Sequence, residues 1–132
     1  MIFVDTSFWV AVHNRRDNRH EEATPLMRRH ERSQLVTTNH IRGEAWTFLR
    51  RRENHTLAVG FLDALDGSAR LRLVTVSKEA EDRALVWLRR HDEREYSFVD
   101  ATSFMVMQSL RIREALAFDG DFTAAGFHEL RL

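Results

Sequence analysis

Apolar and polar positions alternate in two rhythms along the chain. Short greasy runs, "IFV" at Ile2–Val4, "LVTT" at Leu35–Thr38, "LRLVTV" at Leu71–Val76 and "EALAFD" at Glu114–Asp119, read as strands. Between them the apolar residues recur at helical spacing, as at Ile41, Ala45, Phe48 and Leu49. The pattern predicts helices over Ser7–His13, Glu21–Arg32, Ile41–Arg52, from Asn54 through Ala69, Lys78–Arg90 and Val99–Leu110. Asn39, Asn54 and Ser77 are the expected caps. "GDFTAAGF" reads as a turn with a short helix, and "HELRL" as an edge strand. Strands alternating with helices predict an α/β fold, a three-layer αβα sandwich around a parallel sheet of four or five strands. Right-handed crossovers then bring the carboxyl ends of all strands to one edge.

Length changes little in this picture: 132 residues suit one domain, 1–132, with 43% hydrophobic residues to fill its core. No apolar run approaches the ~20 residues of a membrane helix, and the start lacks the basic segment of a signal peptide. Cysteine is absent, which excludes disulfides and thiolate metal sites and favours a cytoplasmic location. Net charge is zero, which argues against a uniformly basic nucleic-acid sleeve. The basic residues are nonetheless almost all arginine, Lys78 being the single lysine. Arginine is the better fork for phosphate.

The acids carry the candidate chemistry. Asp5 ends the first strand, and Asp119 ends the "EALAF" strand with Asp121 two residues on. Glu44 sits early in the helix after "LVTT", and Asp100 early in the helix after "REYS". Helices that follow parallel strands begin near the ligand-binding edge. Four acids from distant segments are thus expected to converge. Asp100 and Glu44 also suit helix dipoles, and Asp119 suits a turn. Asp5 has no such excuse, because Thr6 and Ser7 beside it are the more obvious caps. Clustered carboxylates repel unless a cation intervenes. Hard oxygen ligands suit Mg²⁺ or Mn²⁺, which activate water and stabilise charge on phosphoryl oxygen.

Three blocks carrying these acids, "MIFVDTSFWVA", "TTNHIRGEAWTFLRRR" and "SFVDATSFMVMQSLRIREALAFDGDFTAAGF", resemble the PIN domain, and within it the VapC-type toxins of toxin–antitoxin pairs. The resemblance implies an Mg²⁺-dependent endoribonuclease, Mn²⁺ substituting, that cuts RNA and is restrained by a cognate antitoxin, commonly as a homodimer. It assigns Asp5, Glu44, Asp100 and Asp119 to the catalytic acidic quartet. Asp5 and Asp100 are expected as direct ligands, Glu44 and Asp119 to bind through water or to orient the attacking water. Thr6 or Ser7 is expected to support Asp5, and Ser103 to support Asp100. Asp121, where relatives often carry a basic residue or His, is either a fifth ligand or a turn residue. Ala117 stands where many relatives have Thr or Ser.

Arg15, Arg16 and Arg19 lie in the loop after the first helix, either as solvated charges or as RNA contacts. Arg50, Arg51 and Arg52 suit the end of a helix dipole or an RNA backbone. Trp9, Phe48 and Leu49 are candidates for an apolar antitoxin groove. Seven histidines form no H-E-x-x-H signature and are expected at the surface. A phospho-acceptor domain lacks its late lysine here, and a haloacid-dehalogenase-like enzyme would need an acid where Ser7 stands. An RNA-binding module with a degenerate site, and a DNA nuclease or RNA-processing enzyme using the same acids on another substrate, are the remaining alternatives.

Overall fold

A computed structural model describes residues 1–132. Strands β1 (Ile2–Val4), β2 (Leu35–Thr38), β3 (Leu71–Val74), β4 (Glu114–Leu116) and β5 (His128–Glu129) form one parallel sheet. Helices α1 (Thr6–His13), α2 (His20–Arg29), α3 (Asn39–Arg52), α4 (His55–Asp66), α5 (Lys78–Arg90), α6 (Phe98–Leu110) and α7 (Asp121–Ala124) connect them. The sheet order is β3-β2-β1-β4-β5, the upper of the two strand counts expected.

This order fixes where a site can form. The chain steps outward from β1 to β2 and β3, then returns to β4 on the other side of β1. The reversal makes the carboxyl end of β1 a topological switch point, the crevice where open α/β sheets bind ligands. β1 and β2 are buried along their whole length, as central parallel strands must be, whereas β3 at the edge is partly exposed. Val4 pairs with Leu116, and the next amide, Asp5 N–H, donates to the Leu116 carbonyl at 3.0 Å.

The core is one cluster of 31 buried apolar residues. Phe104 meets Phe122 edge-to-face at 5.0 Å, and Phe3 meets Phe122 at 6.0 Å, so α6 and α7 are locked to the sheet by aromatic contact. The indole N–H of Trp9 donates to Thr37 Oγ1 at 3.2 Å, and that hydroxyl donates to the Val4 carbonyl at 2.9 Å. The buried polar atoms between α1, β1 and β2 are thereby satisfied.

Several boundaries differ from expectation, for local reasons. α4 stops at Asp66, where Gly67 takes over the capping role, instead of reaching Ala69. α2 ends at Arg29, three residues early. Thr38, and not Asn39, caps α3; the Asn39 side chain instead accepts from Val76 N–H at 2.9 Å and pins the segment after β3. β3 stops at Val74 and β4 at Leu116, which leaves Asp119 in the turn beyond the strand. The histidines are not uniformly superficial: His13, His20, His30, His40 and His91 are half-buried, His91 stacked on Trp87 at 3.9 Å.

Candidate metal centre

Asp5 is held by the start of α1. It is the N-cap of that helix, its Oδ2 accepting from Ser7 N–H at 3.1 Å and from the Ser7 hydroxyl at 2.7 Å. The expectation that Asp5 lacks a capping role is therefore overturned; one carboxylate oxygen caps while the group faces the cleft. Ser7 is the expected support. Thr6 is not: its Oγ1 is buried with no hydrogen-bond partner.

Asp100 is held by α6. Ser97 caps that helix, accepting from Asp100 N–H at 2.9 Å, and the Asp100 Oδ2 accepts from Ser97 N–H at 3.0 Å. This reciprocal capping box fixes the side chain one turn into the helix. Ser103 does not support Asp100; its hydroxyl donates to the Val99 carbonyl at 2.7 Å. Asp119 stands in the turn after β4, its Oδ1 accepting from Asp121 N–H at 3.1 Å.

Asp5, Asp100 and Asp119 each offer a carboxylate oxygen, and these oxygens lie within 4.8 Å of one another. Three of the four expected acids are thus brought together. Glu44 stays outside this cluster, exposed on α3 at the cleft rim. Asp121 also stays outside; its Oδ1 accepts from Arg94 Nε at 2.9 Å.

The electrostatics follow from this crowding. Burial pushes Asp5 well above the ordinary carboxylate range, and the charges of Asp119 and Asp100 add to it against the pull of the Ser7 hydrogen bonds. Burial likewise raises Asp100, to about 7, with the Ser97 N–H opposing and Asp119 and Asp121 adding. Asp119 is raised too, mainly by burial, with the Asp121 N–H opposing. No arginine, lysine or histidine forms an ion pair with any of the three. The chemistry of this donor set, hard and mutually repelling oxygens, fits a divalent cation.

The cleft over the cluster has a volume of about 360 Å³. Its walls include Thr6, Ser7, Asp17, Arg19, Glu44, Phe48 and Phe118. Of the three candidate loop arginines only Arg19 reaches it, stacked 4.9 Å from the Phe118 ring centre and paired with Glu22 at 2.7 Å. Arg15 is exposed away from the cleft, and Arg16 pairs with Glu53 at 3.5 Å. Asp17, Phe118 and Arg94 had no local signal in the sequence, because their roles arise from contacts across the fold. A second cavity of about 510 Å³ shares Glu44 and Phe48 with the first and runs along α3 to Arg51 and Arg52. Phe48 is 37% exposed beneath the Arg52 guanidinium. Trp9 and Leu49 are buried and line no groove, so that part of the expected antitoxin surface is withdrawn.

The PIN domain family model matches residues 2–128. Two proteins of Mycobacterium tuberculosis, from strains CDC 1551 / Oshkosh and ATCC 25618 / H37Rv, are each named 23S rRNA-specific endonuclease VapC20. Each is 52% identical over 131 residues, spanning 99% of this chain and 98% of its own. The crystal structure of M. tuberculosis VapC20, a sarcin–ricin loop cleaving toxin, matches with a TM-score of 0.93 at 50% identity, covering 100% of both chains. With the acids at the switch point and likeness along its whole length, the chain belongs to the PIN domain family.

Proposed function

We propose that this protein is a divalent-metal-dependent endoribonuclease, the toxin of a toxin–antitoxin pair, and that its substrate is the sarcin–ricin loop of 23S rRNA. The observation that carries the reaction class is the convergence of Asp5, Asp100 and Asp119 within 4.8 Å, unneutralised by any basic side chain. The choice of RNA rests on the 52% identity to VapC20.

Asp5, Asp100 and Asp119 would hold Mg²⁺, with Mn²⁺ able to substitute. Such an ion supplies an activated water and stabilises charge on the phosphoryl oxygen. The chain's own residues do the positioning. Ser7 orients Asp5, the Ser97 amide orients Asp100, and the Asp121 amide orients Asp119. Glu44, exposed at the rim without a bonded partner, is placed to orient a water or accept its proton. Arg19 on one wall, and Arg51 and Arg52 beyond Phe48 on the other, offer charge to the phosphates of a bound strand.

A cognate antitoxin and a homodimer complete this reading, which the family supports. No helix is long and apolar enough to cross a membrane, and a ribosomal RNA substrate fits a cytoplasmic site of action.

The test is cleavage of a synthetic sarcin–ricin loop RNA by the purified chain with Mn²⁺. A discrete cut by wild type that is lost in Asp100→Asn supports the reading. Undiminished cutting by Asp100→Asn sinks the site assignment.

A further inference from the structure

Of the three clustered acids, Asp119 alone belongs neither to a helix nor to its cap. It stands in the short turn between β4 and α7, where Gly120 adopts φ +81. Something else must hold that turn, and two charged residues do so from different segments.

Glu129, from β5, has a side chain only 3% exposed. Its Oε1 accepts from Gly120 N–H at 3.3 Å and its Oε2 from Thr123 N–H at 2.9 Å. Arg131 Nη2 donates to Oε1 at 3.0 Å, while Arg131 Nη1 donates to the Ala117 carbonyl at 2.8 Å. Arg94, from the loop between α5 and α6, grips the same turn through other atoms. Its Nε donates to Asp121 Oδ1 at 2.9 Å and its Nη2 to the Asp119 carbonyl at 3.2 Å. The positive φ at position 120 favours glycine, and a Cβ there would lie 3.3 Å from that guanidinium, a tight contact that would nudge it.

We propose that Glu129 and Arg94 are positioning residues that clamp the Asp119–Asp121 turn between them and so set the place of the third carboxylate in the metal site. The inference rests on the metal-dependent reading above. A buried carboxylate is costly unless fully bonded, and well-packed apolar residues in place of a buried ion pair are often as stable or more so. Glu129 spends one oxygen on the Gly120 amide of the turn and on Arg131, which reaches the Ala117 carbonyl just past β4, and the other on the Thr123 amide of α7. A charge kept there at such cost is explained by what it holds. Outer partners of metal-holding groups typically govern affinity by tenfold or more.

The experiment uses the full chain, stripped of metal, as wild type, Glu129→Gln, Arg94→Ala and Arg94→Lys. Mn²⁺ affinity is measured by calorimetry, and amide hydrogen exchange is followed over residues 118–124 without metal. Glu129→Gln keeps one acceptor oxygen but presents an N–H₂ to an amide donor, and Arg94→Ala is an exposed change that leaves the core intact. Both are expected to weaken Mn²⁺ binding by about tenfold and to speed exchange in 118–124, with β1 and α3 unchanged. Arg94→Lys can reach Asp121 but cannot fork to the Asp119 carbonyl, and restores only part of the affinity. Wild-type affinity and unchanged exchange in both Glu129→Gln and Arg94→Ala overturn the clamp. Should Glu129→Gln fail to fold, Arg94→Ala decides by the same two measurements. Should wild type bind no Mn²⁺, the nuclease reading falls and exchange alone decides the clamp: faster upholds it, unchanged overturns it.

Discussion

The Ser7 hydroxyl donates to Asp5 Oδ2 at 2.7 Å and accepts from Phe118 N–H at 3.0 Å. One small side chain thus ties the acid after β1 to the segment that leads into Asp119. Ser7→Ala removes both bonds and strands the Phe118 amide. The expected loss is roughly 1–3 kcal/mol of stability, with weaker Mn²⁺ binding. Thr6→Val, next door, removes a hydroxyl with no partner and is expected to be neutral or slightly stabilising. Urea melts of the two variants give the comparison, and an equal loss in both would remove Ser7 from its role.

The acid cluster sets a pH dependence for the metal-free protein. Asp100 titrates near 7 in the fold, chiefly through burial, against about 3.9 in an unfolded chain. Between these values the folded state binds more protons than the unfolded state. Stability therefore falls as pH rises from about 4 through about 7. The urea midpoint is expected to be higher at pH 5 than at pH 8, and Asp100→Asn to flatten that slope. Mn²⁺ binding at pH 6 should release protons, seen as a calorimetric heat that depends on the buffer. A midpoint that climbs toward pH 8 without metal would contradict the crowded, unneutralised site.

The cavity along α3 predicts a division of labour in RNA binding. Phe48→Ala should cost roughly 1–3 kcal/mol of affinity through lost base stacking. Arg51→Gln should weaken binding at any sequence and lower the salt slope by about 1. Filter binding of the Asp100→Asn protein to RNA across a salt series separates the two, that variant being expected to bind without cutting. A salt slope identical to wild type would assign Arg51 to the helix dipole alone.

α6 ends on Arg111 at φ 57, the only non-glycine residue with positive φ. That conformation costs an ordinary residue roughly 1–2 kcal/mol, while glycine pays for its extra unfolded-state freedom. Arg111→Gly is expected to stabilise by about 1 kcal/mol, read from the urea midpoint.

What was legible in the sequence was the local part. Ser77 and Asn54 cap the helices they precede, and apolar runs mark the four strands β1 to β4. The site was legible where one residue sits on one element: Asp5 after "IFV", Asp100 early in α6. Its supports were not. Ser7 outdoes Thr6 because of where Phe118 lies, 111 residues away. Ser103 binds its own helix instead of Asp100, because a hydroxyl one turn on from a carbonyl finds it first. Arg94 and Glu129 matter only through a turn that neither adjoins in sequence. Glu44 has the right address on α3 but remains at the rim.

The placement of β1 between β2 and β4 has a bearing on biosynthesis. Asp5 precedes its partner acids along the chain, which come from α6 and from the turn after β4. During elongation β1 can pair with β2, but its other edge stays open until β4 emerges. A nascent polypeptide carries its first carboxylate with the triad incomplete until residue 119 has emerged. The acid triad, on this geometry, assembles abruptly, when β4 slots in beside β1 and the turn beyond it carries Asp119 to Asp5.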